Sequence, residues 1–213
     1  MSRRIGITQR VEDVASYAER RDCLDQQWFV LLEQLGLTPV PVPNSLNNVA
    51  AWLEVMELDG YILSGGNDLS CLPNPACPAP ERDLTEKAIL DYACDNQLPV
   101  LGVCRGMQMM NVYLGGSLFP VKEHVGTRHS VRAATAEARF GTYTRVNSFH
   151  DWGVQVEGLA ETLQSCLTAT DGTIEAVTHR HRKWTGIMWH PEREMPFMLS
   201  DIRLIIRLFK GDL

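Results

Sequence analysis

From Arg4 to Leu114 short apolar runs alternate with amphipathic stretches, and this alternation constrains the fold more than any other feature of the chain. Arg4 to Thr8 is short and rich in branched residues, and Asp59 to Ser64 and Leu98 to Val103 are near-continuous apolar runs; each reads as a buried strand. Residues 19–35 set Leu24, Trp28, Leu31, Leu32 and Leu35 on one helical face, with Gly36 as the stop. Residues 46–57 and 81–96 carry further helix patterns, and a helix from Arg105 to Leu114 ends at Gly115-Gly116. Val40 and Val42 alternate with Pro39, Pro41 and Pro43, which cannot donate to a ladder, so that strand belongs near an edge. Strand and helix in alternation imply a parallel sheet with helices on both faces. Beyond residue 131 the strands are short, among them Thr173–Val177 and Thr185–Trp189, and residues 199–209 predict a terminal amphipathic helix. The expected fold is therefore α/β: three layers, a mostly parallel central sheet flanked by helices, and a smaller antiparallel element, in a single domain over residues 1–213.

A chain of 213 residues, 45% hydrophobic, buries a sizeable core without disulfides or metals, and its composition excludes a disordered protein. The net charge of -6, from 20 Lys plus Arg against 26 Asp plus Glu, excludes a nucleic-acid binder driven by phosphate neutralisation. No run of 18 apolar residues exists, and no apolar segment follows the charged Met1-Ser2-Arg3-Arg4 start. No membrane partner and no signal peptide are expected. The 6 cysteines lack metal-ligand spacing such as C-x-x-C, so no metal is expected and the thiols read as reduced, in a cytoplasmic protein.

One cysteine stands apart. Gly102-Val103-Cys104-Arg105-Gly106-Met107-Gln108 joins a buried strand directly to a helix. A nucleophile in such an elbow points out of the carboxyl end of the sheet. The helix N-terminus favours negative charge and lowers the thiol pKa. A cysteine nucleophile also needs a base and a group to orient it. Trp189-His190-Pro191-Glu192, at the end of a predicted strand, offers both residue types.

G-V-C-R-G-M-Q, followed 86 residues after its cysteine by H-P-E, resembles the class I glutamine amidotransferase-like domains. Ser64-Gly65-Gly66, Arg82-Asp83 and Asn147-Ser148-Phe149-His150 follow in the order of that family. The resemblance implies a triad of Cys104, His190 and Glu192. It implies an oxyanion hole from the backbone N–H groups of Arg105 and Gly66, with Gly65 close by. Gln108 is then a contact to the glutamyl end of the substrate, and Asn147, Ser148 and His150 belong to a segment holding the same group, largely through backbone. Arg82 and Asp83 read as an ion pair at a helix start without a catalytic role. The absence of an attached synthase domain, and Arg105 after the nucleophile, resemble the stand-alone gamma-glutamyl hydrolase branch.

Within that branch I-G-I-T-Q-R, S-G-G-N-D-L, V-N-S-F-H, D-G-T-I-E-A and G-I-M-W-H-P-E-R resemble the gamma-glutamyl-CDP-amidate hydrolases, which act in making the phosphoramidate decoration of bacterial capsules. The implied reaction turns a small, nucleotide-linked gamma-glutamyl amide into glutamate and cytidine diphosphoramidate through a cysteine thioester, without metal or organic cofactor. A gamma-glutamyl-GABA hydrolase, a glutaminase subunit feeding a separate synthetase, and a non-catalytic binding protein are the other readings. For the leaving group, Arg10 and Asn67 lie near strand ends. Lys122, His124, Arg128, His129 and Arg132 cluster nearby in sequence, reading first as a solvated face and second as a diphosphate contact.

Overall fold

The computed structural model of the chain describes residues 2–134 and 139–211. Its strands are β1 (Arg3–Thr8), β2 (Arg10–Val14), β3 (Glu19–Cys23), β4 (Leu37–Val42), β5 (Gly60–Leu63), β6 (Val100–Val103), β7 (Phe119–Pro120), β8 (Val125–Ala133), β9 (Arg145–Phe149), β10 (Trp152–Gly153), β11 (Leu163–Ala169), β12 (Ile174–His179) and β13 (Trp184–Ile187). The helices are α1 (Gln27–Gln34), α2 (Val49–Met56), α3 (Pro80–Asp95), α4 (Arg105–Tyr113) and α5 (Leu199–Lys210). Nine strands form one sheet in the order β4-β1-β5-β6-β13-β12-β11-β8-β9. The first five are mutually parallel. The antiparallel strands continue the same sheet beyond β13. Among the described residues no helix is long and apolar enough to cross a membrane.

Successive strand residues face opposite sides, and here both sides are covered. Ile5, Ile7, Ile62, Leu101, Val103 and Ile187 pack with Trp28, Leu31 and Leu32 of α1 and Leu204, Ile205 and Phe209 of α5. Tyr61, Leu63 and Val100 face the other way, against Leu53, Ile89, Leu90, Met107 and Met110 of α2, α3 and α4. That double burial is why β5, β6 and β13 have no exposed residue. The proline-bearing β4 sits at the sheet edge, as its missing donors require.

The helix expected over residues 19–35 is shorter than its apolar spacing implied. Glu19–Cys23 is instead a strand, paired with Arg10–Val14 in a separate hairpin. Glu12 opposes Arg21 and Asp13 opposes Arg20 across it, and Arg20 holds Asp13 at 2.8 Å. Opposite charges across a ladder favour the strand pairing, which periodicity on one segment alone does not register. The helix begins only after Asp25, whose side chain accepts from the Gln27 N–H at 2.9 Å.

Candidate active site

The carboxyl ends of β1, β5, β6 and β13 converge beside the point where the strand order reverses around β1, the place where open α/β sheets bind ligands. Cys104 occupies the junction of β6 and α4 with φ 52° and ψ -106°, a conformation that non-glycine residues rarely adopt. Its N–H donates to the Ile187 carbonyl at 2.7 Å, tying the turn to β13. Gly106 lets α4 lie directly on β5: any Cβ there would collide with the Leu63 carbonyl. The thiol is buried, which pushes its pKa up, but the adjacent His190 and the hydrogen bond with it pull harder, and the net shift is downward.

His190 follows β13. Its N–H donates to Asn147 Oδ1 at 2.9 Å, and its carbonyl accepts from Asn147 Nδ2 at 2.9 Å. Its Nδ1 lies 2.7 Å from Glu192 Oε1. A carboxylate accepts, so Nδ1 carries the proton and Nε2 is left for the thiol. Burial disfavours the imidazolium, yet the Cys104 thiolate and Glu192 outweigh it, raising the pKa to about 9. Both shifts favour the thiolate–imidazolium form, the one activated for nucleophilic attack. Gly65 permits the close fit, since a Cβ there would stand 2.6 Å from His190 Cε1.

The glycine turn is held from behind. Arg82, wholly buried, donates to the carbonyls of Ser64 at 2.6 Å, Gly65 at 3.1 Å and Gly66 at 2.6 Å. In a trans peptide the N–H opposes the carbonyl, so these bonds turn the N–H groups of Gly65 and Gly66 away from Arg82. The expected Arg82–Asp83 ion pair is not formed. Arg82 instead holds Glu86 Oε1 at 2.9 Å, and Arg105 bridges Glu86 and Asp83. Residues four apart share a helix face and adjacent ones do not, which decides the pairing. Two cations and two carboxylates thus compensate each other, and Thr8 Oγ1 donates to Glu86 at 2.8 Å. Glu86 remains ionised because Arg105 and Arg82 overcome its burial.

Two cavities meet at Gly66. One, of about 280 Å³, is lined by Arg10, Gly65, His190, Glu192 and, unanticipated from sequence, Trp28 and Arg193. The other, of about 230 Å³, is lined by Asn67, Cys104, Arg105, Gln108, His150 and Trp152. Gln108 Nε2 donates to the Trp152 carbonyl at 2.7 Å. Asn67 lines the second cavity but spends its amide on the backbone of Val11, at 2.8 and 2.9 Å, fastening the hairpin. Asn147, Ser148 and His129 line neither cavity. Asn147 positions the His190 backbone, and Ser148 Oγ donates to the His124 carbonyl at 2.6 Å. His129 stacks 4.0 Å from the His124 ring. Arg128 pairs with Glu194 at 2.9 Å and lines neither cavity. Arg193 closes the G-I-M-W-H-P-E-R motif but was not singled out as a site residue; its guanidinium lies over the Phe149 ring at 4.3 Å.

The sequence matches the Peptidase C26 family over residues 4–192. It is 36% identical over 208 residues to the gamma-glutamyl-CDP-amidate hydrolase of Campylobacter jejuni, covering 96% of each chain. The gamma-glutamyl-gamma-aminobutyrate hydrolase of Escherichia coli is 25% identical over 226 residues, covering 88% of this chain and 84% of that one. The crystal structure of a glutamine amidotransferase from Thermotoga maritima shares the fold, with TM-score 0.68 at 17% identity over 100% of this chain and 87% of the other. With a match that runs from β1 through the cysteine elbow to Glu192, the chain belongs to the Peptidase C26 family.

Proposed function

We propose that this chain hydrolyses a gamma-glutamyl amide through a Cys104 thioester, with gamma-glutamyl-CDP-amidate as its substrate. The observation that carries the reaction type is the buried thiol at a strained elbow beside an imidazole that Glu192 orients at 2.7 Å. The thiolate attacks the gamma-carbonyl carbon, and the carbonyl electron pair moves to oxygen. The N–H groups of Arg105 and Gly66 receive that oxyanion. As the tetrahedral adduct collapses, the C–N bond breaks and His190 gives its Nε2 proton to the departing nitrogen. A water, deprotonated by His190, then attacks the thioester; glutamate leaves and the thiolate returns.

Because His190 must reach the leaving nitrogen, the leaving group extends into the cavity on its side, and the glutamyl group takes the cavity beside Gln108 and His150. The first cavity is lined by Arg193 and by Arg10, which pairs with Glu12 on the same wall; a diphosphate there takes the place of Glu12 on Arg10 and is met by Arg193. The two arginines support the nucleotide substrate, as does the 36% identity to the Campylobacter jejuni enzyme over 96% of each chain. The test is kcat/KM for L-glutamine, gamma-glutamyl-GABA and gamma-glutamyl-CDP-amidate, with products identified. The nucleotide substrate is expected to be preferred, and Arg10→Ala and Arg193→Ala to raise its KM while sparing glutamine turnover. A preference for gamma-glutamyl-GABA defeats the nucleotide assignment alone; no turnover of any of the three defeats the hydrolase reading.

A further inference from the structure

Behind the wall of the Cys104 cavity three histidines and a carboxylate meet. His124 precedes β8, His129 lies within it, His150 follows β9 and Glu175 belongs to β12. One donor atom from each lies within 4.8 Å of all the others; His124, His150 and Glu175 are buried and His129 half-buried. Their protonation follows from their outer partners. Nδ1 of His150 is 2.9 Å from the Trp152 carbonyl, which only accepts, so Nδ1 carries the proton and Nε2 a lone pair. Nε2 of His124 is 2.8 Å from Asp171 Oδ2, and by the same reasoning its Nδ1 carries a lone pair.

These two lone-pair nitrogens face each other at 3.3 Å. Glu175 Oε1 stands 3.7 Å from His124 Nδ1 and 3.6 Å from His150 Nε2. Both carboxylate oxygens of Glu175, and Nε2 of His129, are buried without a hydrogen-bond partner. A buried carboxylate aimed at two lone pairs is unfavourable unless a proton or a metal cation lies among them, and a single added proton still leaves His129 Nε2 without a partner. Nitrogen ligands at about 2.0–2.1 Å around a tetrahedral ion stand about 3.3 Å apart. The triangle of 3.3, 3.6 and 3.7 Å is close to one face of that tetrahedron. His129 offers a nitrogen within 4.8 Å of the other three donors, the fourth of the set. The contacts from Asp171 and the Trp152 carbonyl are of the kind that orient metal-bound imidazoles.

We propose that His124, His129, His150 and Glu175 form a structural site for a divalent transition-metal ion of the zinc type. Three imidazoles select such an ion over magnesium or calcium, which take oxygen ligands. With all four positions supplied by protein the site is closed, so the ion takes no part in amide hydrolysis. It clamps together the ends of β8 and β9 and the start of β12, and so holds His150 and the segment through Trp152 against the cavity. Its charge offsets Glu175 and Asp171.

The test uses the full chain, stripped with a chelator, in a Cys104→Ala background so that the thiol of the elbow supplies no ligand. Zn²⁺ is titrated by calorimetry and counted after desalting, and Co²⁺ serves as the spectroscopic probe. One equivalent of Zn²⁺, a tetrahedral Co²⁺ spectrum and a higher Tm with Zn²⁺ are expected. His129→Ala is expected to weaken binding at least about tenfold and to lose the Tm response. His181→Ala, at an exposed histidine outside the cluster, is expected to keep both. Should His129→Ala fail to fold by circular dichroism, Glu175→Gln decides by the same criteria. Absence of stoichiometric binding overturns the proposal. So does unchanged binding in the cluster variant, which would assign the ion to other thiols.

Discussion

At the scale of single residues the decisive pair is Cys104 and His190. Relative to the unfolded chain the thiol pKa is lowered and the imidazole pKa raised, to about 9. The raised His190 group adds stability that is present below its unfolded pKa and lost as pH rises through about 9. The depressed Cys104 group adds stability that is present above its unfolded pKa and lost as pH falls through its folded one. Between the unfolded pKa values of the two groups the pair exchanges a proton internally on folding and takes up none, so it leaves stability nearly independent of pH there. Cys104→Ala removes the thiolate, lets burial dominate, and should lower the His190 pKa; an NMR titration of the imidazole that finds it unchanged would refute the ion pair. For turnover, Cys104→Ser and His190→Asn should each cost at least about 10³-fold in kcat with the fold intact. Glu192→Gln should cost less, because Asn147 still holds the His190 backbone at both its N–H and its carbonyl. A larger loss from Glu192→Gln than from His190→Asn would reverse the assigned roles.

At the scale of elements, the glycine turn after β5 owes its shape to α3. Arg82, on the first turn of that helix, reaches three successive carbonyls, and Glu86 one turn later neutralises it. Arg82→Lys keeps the charge but loses the planar fork, so it cannot satisfy the same set of acceptors. In the proposed mechanism the turn N–H groups then lose their aim at the developing oxyanion. The expected outcome is a fall in kcat of about 10²-fold, the scale of one lost oxyanion donor, with KM for the same substrate little changed. Steady-state kinetics check this: a rise in KM with constant kcat would mean that Arg82 serves binding and not the turn.

At the scale of the whole molecule, Asp201 links the C-terminal helix to the sheet. Its Oδ1 accepts from Tyr143 Oη at 2.8 Å and from Trp189 Nε1 at 3.0 Å, joining α5, the loop before β9 and the end of β13. Burial raises its pKa to about 6 although both donors favour the charged form. A carboxyl raised in this way stabilises the fold below its unfolded pKa, and the contribution is lost as pH rises through about 6. Asp201→Asn keeps an acceptor for both donors and has no charge to desolvate. Unfolding free energies measured between pH 4 and pH 7 should fall for the wild type by a few kcal/mol relative to the variant. Parallel pH profiles for the two proteins would show that Asp201 does not titrate on folding.

The parallel half of the sheet and the cysteine elbow were legible in the chain because both are local. A strand buried on two faces is a continuous apolar run, as in Tyr61–Leu63 and Val100–Val103, and the Gly-x-Cys-x-Gly elbow is contiguous. Residues 19–23 were misread as helix because a hairpin is defined by cross-strand partners, and the apolar spacing from Leu24 onward describes only α1. The Arg82 fork was invisible for a similar reason: its acceptors at Ser64, Gly65 and Gly66 are backbone atoms, which leave no trace in residue identity. Trp28 enters the cavity from a distant segment, and His124, His129, His150 and Glu175 meet only because the turns between strands return them to one point. Residue order along the chain determined periodicity, elbow and family; only tertiary structure decided which charges pair and which side chains share a cavity, since those depend on distances across strands rather than along them.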